Sequence, residues 1–208
     1  MKLYFTFIKN FQEFLLAISI VILACLPASL VFVPNWFDGE KLTLLYALAH
    51  FSLFLVMLIR PLADIFRGVT WLRPLVILRK GMGVFSASII VSFILSKLIV
   101  GSSGYFNSMV SADYWSFSNL AILAHLADIS AMLLLITSNN LSKQLLGKMW
   151  KNIQRLSYVY FYGSGLYVFF ILHDNFLLIY LVLVTLFTVL AWLRNHNFIL
   201  QTNNPQTI

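Results

Sequence analysis

The chain has 208 residues, of which 61% are hydrophobic and 10% are charged, and its formal net charge is +7. A soluble domain of this length has too little interior for so much apolar surface, so the composition indicates an integral membrane protein. The excess of positive charge does not indicate a nucleic-acid partner, because the lysines and arginines lie in the links between apolar segments. The single cysteine, Cys25, excludes an intrachain disulfide and a cysteine-bound iron–sulfur cluster.

Six apolar segments follow one another along the chain, each long enough to cross a bilayer as a helix. In order, they run over residues 14–33, 42–59, 81–100, 119–136, 153–172 and 176–193. The first follows a basic start but continues past Cys25 to Val33, so we interpret it as an uncleaved membrane helix. The sequence therefore predicts an all-α fold, with one transmembrane domain of six helices over residues 1–208.

The distribution of basic residues predicts the orientation of these helices. If the six helices alternate in direction, 12 of the 14 lysines and arginines fall on one side, and only Lys41 and Lys97 fall on the other. Lysine and arginine resist translocation, so the basic side is expected to be cytoplasmic. We therefore predict cytoplasmic N and C termini, and we expect the protein in the bacterial inner (cytoplasmic) membrane.

A motif occupies the link between the fourth and fifth segments. It consists of a Thr-Ser pair, a basic link, Leu-Gly-x-x-Trp and a final aromatic residue, at Thr137, Ser138, Leu146, Gly147, Trp150, Ile153 and Tyr158. This pattern resembles ferric-reductase-like transmembrane domains, above all the heme-binding membrane subunit of the bacterial methionine sulfoxide reductase system. The stretch from Ile59 to Gly83 resembles another link of that family, so the similarity covers roughly residues 45–170. It implies that helices 2–5 form an up-and-down four-helix core.

The resemblance also implies where heme ligands would lie. At the three positions of the family's ligand histidines this chain has Phe93, Gln154 and Tyr167, and none of these side chains offers an imidazole. We therefore expect a divergent ferric-reductase-like subunit without the family's heme sites and without a cofactor. It would act as a structural or accessory subunit of a larger membrane complex, such as a redox complex, and not as an enzyme on its own. The expected partners are the lipid bilayer and other membrane protein subunits.

Two histidines leave a different function open. His50 lies eight residues after Leu42, and His125 lies six residues after Asn119. At about 1.5 Å per residue, both would lie roughly 9–12 Å below the outer boundary of the membrane. A heme b held by His50 and His125 would make the protein a single-heme electron carrier. Alternatively, each histidine forms a hydrogen bond with a neighbouring helix.

Asp128 adds a third polar group at membrane depth. His125 and Asp128 are three residues apart and share a helical face, so together with His50 they would form a metal site or a proton relay. The fifth segment is also rich in tyrosines, against which a lipid quinone could dock: Tyr158, Tyr160, Tyr162 and Tyr167. For these tyrosines we favour aromatic packing and interfacial anchoring.

Overall fold

Helices make up almost all of the chain that the computed structural model describes, which comprises residues 2–116, 120–173 and 175–196. Within these residues there are nine α-helices: α1 (Lys2–Phe32), α2 (Gly39–Ile65), α3 (Leu72–Leu75), α4 (Leu78–Val110), α5 (Ala121–Thr137), α6 (Asn140–Leu146), α7 (Lys148–Gln154), α8 (Leu156–Leu172) and α9 (Asn175–Asn195). The same residues contain no β-strand, which confirms the all-α prediction for the described part of the chain.

Several of these helices are long and apolar enough to cross a membrane. Four qualify on their own: α1, α2, the continuous stretch Leu72–Val110 that includes α4, and α9. A fifth candidate is α5 taken together with α6, although these two helices are bent by 98°. This confirms an integral membrane protein in the coarse sense, with four or five candidate spans against the six that the sequence predicts. The predicted fifth segment corresponds to α8, which has only 17 residues because the helix is interrupted at Arg155.

Besides α2, which begins at Gly39 and continues to Ile65, two helices are markedly longer than predicted. The first begins at Lys2 rather than at residue 14, because its N-terminal part packs on the link before α4. There Ile8 is 2% exposed, and the Tyr4 hydroxyl donates a hydrogen bond of 3.0 Å to the carbonyl of Trp71. The other, α4, runs on to Val110 after a change of direction at Gly101, whose backbone is not helical (φ −161°, ψ 71°). The predicted start of the fourth segment, Asn119, lies outside the described residues.

Helices α2, α4, α5 and α8 form a ring. Each contacts the next, in the order α2, α4, α5, α8 and back to α2. Across the ring, the described Cα atoms of α2 and α5, and those of α4 and α8, nowhere approach within 8 Å of each other. Outside the ring, α1 packs along α4, while α9 packs against α2 and α8.

Small residues bring α1 and α4 close together. Ser19 on α1 and Ser88 and Ser92 on α4 are at most 1% exposed. The hydroxyls of the two α4 serines donate to carbonyls of their own helix at 2.7 Å, so their burial leaves no donor unsatisfied. Gly81 lies so near α1 that an added Cβ would sit 3.2 Å from the Gln12 carbonyl oxygen. Close backbone approach through small residues is a common way for helices to associate in membranes.

Basic residues tie helix ends together at one end of the molecule. The Arg79 side chain, at the start of α4, donates a 2.8 Å hydrogen bond to the carbonyl of Val56 in α2. Arg194, at the end of α9, donates to the carbonyl of Ile65, where α2 ends. The end of α2, the start of α4 and the end of α9 therefore lie at the same end of the bundle.

An aspartate caps the N-terminus of α2. The Asp38 carboxylate accepts a 2.9 Å hydrogen bond from the backbone N–H of Lys41 and pairs with its ammonium at 3.1 Å. These contacts, the backbone hydrogen bond above all, lower the pKa of the Asp38 carboxyl below its ordinary value of 3.8.

We expect Asp38→Ala to lower the thermal unfolding midpoint of the purified protein. Since the pKa is depressed in the folded state, the stabilisation is present above the ordinary pKa and is lost as the pH falls through the folded-state value. The difference between wild type and Asp38→Ala should therefore shrink when melting curves are recorded at increasingly acidic pH. Glu40→Ala, which removes a carboxylate two residues away without removing the cap, is the control. A difference that does not change with pH would contradict this assignment.

Candidate functional site

Phe93, on α4, occupies one of the positions where the family resemblance implies a heme ligand. Its ring stacks on that of Tyr46 from α2, with centroids 4.5 Å apart and planes at 6°. Phe93 is partly buried and packs against the hydrophobic core. The place of an axial imidazole is therefore taken by a packed aromatic pair between α2 and α4.

The other two implied ligand positions also lack the imidazole that the resemblance implies. Tyr167 lies on α8, within electrostatic range of Tyr46. Gln154 ends α7, and its buried amide nitrogen has no hydrogen-bond acceptor among the described residues. Neither side chain offers an imidazole nitrogen. At the remaining position, Phe93 is packed against Tyr46. The residues present at these positions do not fit the family's heme.

A buried hydrogen bond crosses the ring from α4 to α8. The hydroxyls of Ser86 and Tyr160 are 2.9 Å apart, and these residues are 0% and 3% exposed. Because the two backbones are far apart here, the long tyrosine side chain fills the space between them. This contact places a satisfied polar pair in the middle of the apolar core.

Asp128 lies on the α5 side of the same interior, partly buried. It is within electrostatic range of Lys97 on α4, Tyr46 on α2 and Tyr160 on α8. We call these four residues the polar cluster. Within the described residues, no ion pair of 4 Å or less joins Asp128 to Lys97. The polar cluster comprises one carboxyl, one ammonium and two phenols, each from a different helix of the ring.

The two histidines singled out from the sequence lie on α2 and α5, which face each other across the ring. The Nδ1 atom of His50 is 2.8 Å from the carbonyl oxygen of Tyr46, one turn earlier in its own helix. His125 packs edge-to-face against Trp115, with ring centroids 6.1 Å apart. Trp115 belongs to the segment between α4 and α5, so the His125 ring contacts that connection.

The structure does not gather the proposed metal ligands. Among the described residues, His50, His125 and Asp128 do not form a group of three side chains able to hold one metal ion. Two open grooves lie on the surface, one at the start of α2 and one between α1 and α4 near Lys97, and neither is lined by a histidine. A heme b held by His50 and His125 stays a prediction.

Two of the four phenols of the fifth segment connect helices. Tyr160 bonds Ser86, and the Tyr162 hydroxyl lies 2.8 Å from that of Thr185 on α9. Tyr158 is 43% exposed. Two of these tyrosines therefore form interhelical hydrogen bonds, while Tyr158 lies on the outer surface. The four tyrosines do not form one common quinone-docking face.

The motif between the fourth and fifth segments forms a structural joint. The indole N–H of Trp150 donates a 3.0 Å hydrogen bond to the carbonyl of Thr137, the last residue of α5. Gly147 separates α6 from α7 with a φ of +50°, a value that favours glycine. The motif residues thus reach back across the turn to cap the preceding helix. The Leu-Gly-x-x-Trp spacing was a usable signal for this joint, whereas nothing in the sequence pointed to the Tyr46–Phe93 stack.

A comparison with protein families, with curated proteins and with solved structures finds no match to the chain.

Proposed function

We propose that the chain is a six-span membrane subunit that supports a larger membrane complex structurally and holds no heme at the ferric-reductase-like ligand positions. The observation that carries the proposal is the Tyr46–Phe93 stack, with centroids 4.5 Å apart. A porphyrin at this level would need both a ligand and space. The ring pair supplies neither, while it contributes packing energy between two helices.

The proposal of six spans is supported by the positions of the helices, although two of these helices are short. A helix lies at each of the six predicted segments, and α5 and α8 have 17 residues each. Seventeen residues are about the lower limit for crossing a bilayer, at roughly 1.5 Å per residue.

The proposed orientation is supported by the position of the arginines. Arg79 and Arg194 bind carbonyls of α2 near its C-terminal end, so they lie together at one end of the bundle. Under the positive-inside rule this end is cytoplasmic. The ferric-reductase resemblance suggests a redox complex as the larger assembly.

The accessory role is supported by the surface and by the interior together. Along α9, large apolar residues recur every three or four positions and are about half exposed or more: Phe176, Ile179, Val182, Leu186 and Val189. Such a face suits lipid or another membrane helix. Inside the ring, aromatic and small side chains occupy the core.

The test is spectroscopy on the complete chain purified in a mild detergent. We expect no Soret band and no b-type band after reduction, with the chain migrating on a native gel together with a second membrane subunit. Stoichiometric heme would overturn the proposal. If that heme disappeared in His50→Ala or His125→Ala, the single-heme electron carrier would replace it. A pigment-free chain that migrates only as a monomer would also contradict the accessory role.

A further inference from the structure

Two short helices, α6 and α7, connect α5 to α8. The first, α6, is bent by 98° from α5. If α5 stands along the bilayer normal, α6 lies close to the plane of the membrane surface. Its successor α7 follows directly after Gly147.

These helices present an apolar side that no described residue covers. Leu141, Leu145 and Met149 are 66%, 78% and 66% exposed. Leu141 and Leu145 are four residues apart and therefore neighbours on one face of α6. Met149 lies on the next helix, α7, two residues after the Gly147 turn. Three large apolar side chains this exposed next to a membrane-crossing helix require an apolar environment.

The charge around this apolar side has one sign. Residues 137–158 contain four basic side chains and no acidic one: Lys143, Lys148, Lys151 and Arg155. An apolar face flanked by lysines is the pattern of a helix that lies in the interface of a bilayer. A partner that complements α6 and α7 would therefore carry negative charge at its surface and an apolar layer beneath it.

Contacts with the bundle hold both helices in place. The Asn139 side chain accepts a 2.7 Å hydrogen bond from the backbone N–H of Ser142 and so caps α6. Trp150 on α7 donates to the Thr137 carbonyl at 3.0 Å, and the Lys143 ammonium lies 5.5 Å from the centre of the Trp150 ring. The apolar side is therefore presented at a fixed angle to α5.

We propose that α6 and α7 dock on the anionic phospholipids of the cytoplasmic leaflet. Leu141, Leu145 and Met149 enter the boundary between headgroups and acyl chains, and the flanking lysines contact lipid phosphates. Two observations favour lipid over another partner: the positive charge of these helices complements anionic lipid, and they lie at the end of α5, where a membrane-crossing helix meets the bilayer surface. The inference rests on the proposed orientation for the choice of leaflet, but its chemistry applies at either surface.

The first test reports the environment of Leu145. In a Cys25→Ala background, Leu145→Cys and the exposed Asn140→Cys, which lies on another side of α6, are each labelled with an environment-sensitive fluorophore. The complete chain is placed in nanodiscs of phosphatidylcholine and phosphatidylglycerol. We expect a blue-shifted emission at position 145 that lipid-borne quenchers suppress, and a water-like emission at position 140. A water-like, unquenched signal at 145 would overturn the proposal and favour a soluble protein partner.

The second test measures lipid selectivity. Lys148, Lys151 and Arg155 are changed together to Gln, and Lys2, Lys9 and Lys80 are changed in a matched control with the same loss of charge. We expect the first variant to lower the enrichment of bound phosphatidylglycerol by at least about fivefold, because a single basic residue near an anionic surface strengthens binding by about that factor. The control variant should lower this enrichment less. Equal losses would overturn the specific role of α6 and α7.

Orientation is tested separately. Nanodiscs expose both membrane surfaces, so the two tests above do not depend on it. Labelling of Glu40→Cys by a membrane-impermeant reagent in intact cells, without labelling of Gln144→Cys, supports the cytoplasmic position of α6. The reverse pattern would contradict the proposed orientation and move the docking surface to the other leaflet.

Discussion

Replacing Gly163 with alanine is expected to lower the free energy of unfolding by roughly 1–2 kcal/mol, more than any alanine substitution at an open glycine. A Cβ at this position would sit 2.9 Å from the carbonyl oxygen of Leu123 and 3.4 Å from the Cβ of Ala127. The Leu123 oxygen belongs to the backbone of α5 and cannot rotate away, so α5 and α8 would have to separate. Overpacking of this kind typically costs about 1–3 kcal/mol, and the better helix propensity of alanine offsets up to about 1 kcal/mol of it.

Gly104→Ala is the matched control, because it lies in helix α4 and nothing lies within 4 Å of its added Cβ. It should be neutral or slightly stabilising in the same detergent. Gly165→Ala should fall between the two, since the atom it meets at 2.9 Å is the end of the Leu181 side chain. Equal unfolding midpoints for Gly163→Ala and Gly104→Ala would refute the close packing of α5 on α8.

The second large effect is expected at the bond between Ser86 and Tyr160. Tyr160→Phe removes one hydroxyl and leaves the other buried at 0% exposure without its partner. We expect a loss of about 1–2 kcal/mol in unfolding free energy, since an interior hydroxyl deprived of its partner costs more than the bond itself contributes.

A double-mutant cycle with Ser86→Ala isolates the contact. The loss in the double variant should be smaller than the sum of the two single losses, by about 0.6–1.7 kcal/mol, the range found for hydrogen bonds between membrane helices. Tyr158→Phe, on an exposed part of the same helix, should change little. Strict additivity of Ser86→Ala and Tyr160→Phe would mean that the two hydroxyls do not interact.

The helical segments were predictable from the sequence because apolar runs in a membrane protein leave little choice of secondary structure. Their ends were not. The start of α1 at Lys2 depends on packing against the link that contains Trp71, and the length of α4 depends on a change of direction at Gly101. Both features arise from contacts between distant parts of the chain, which hydropathy does not encode.

The interior was less predictable than the segments. The sequence drew attention to Phe93 only as a missing histidine, whereas its partner Tyr46 lies 47 positions earlier and carries no motif. His50 and His125 were paired by depth alone, and depth does not tell which way a ring points: His125 contacts Trp115. By contrast, Trp150 was part of a recognisable pattern, because a turn between two helices is specified locally.

The pairing of α1 with α4 has a consequence for assembly. Among the described residues, α1 has no close backbone contact with α2, its neighbour in sequence, and its main contacts are with a helix that begins at Leu78. Since α4 follows α2 in the chain, α1 can pair with α4 only after the third apolar segment has been synthesised. A ribosome stalled between α2 and α4 would therefore leave the serine side of α1 without its helical partner.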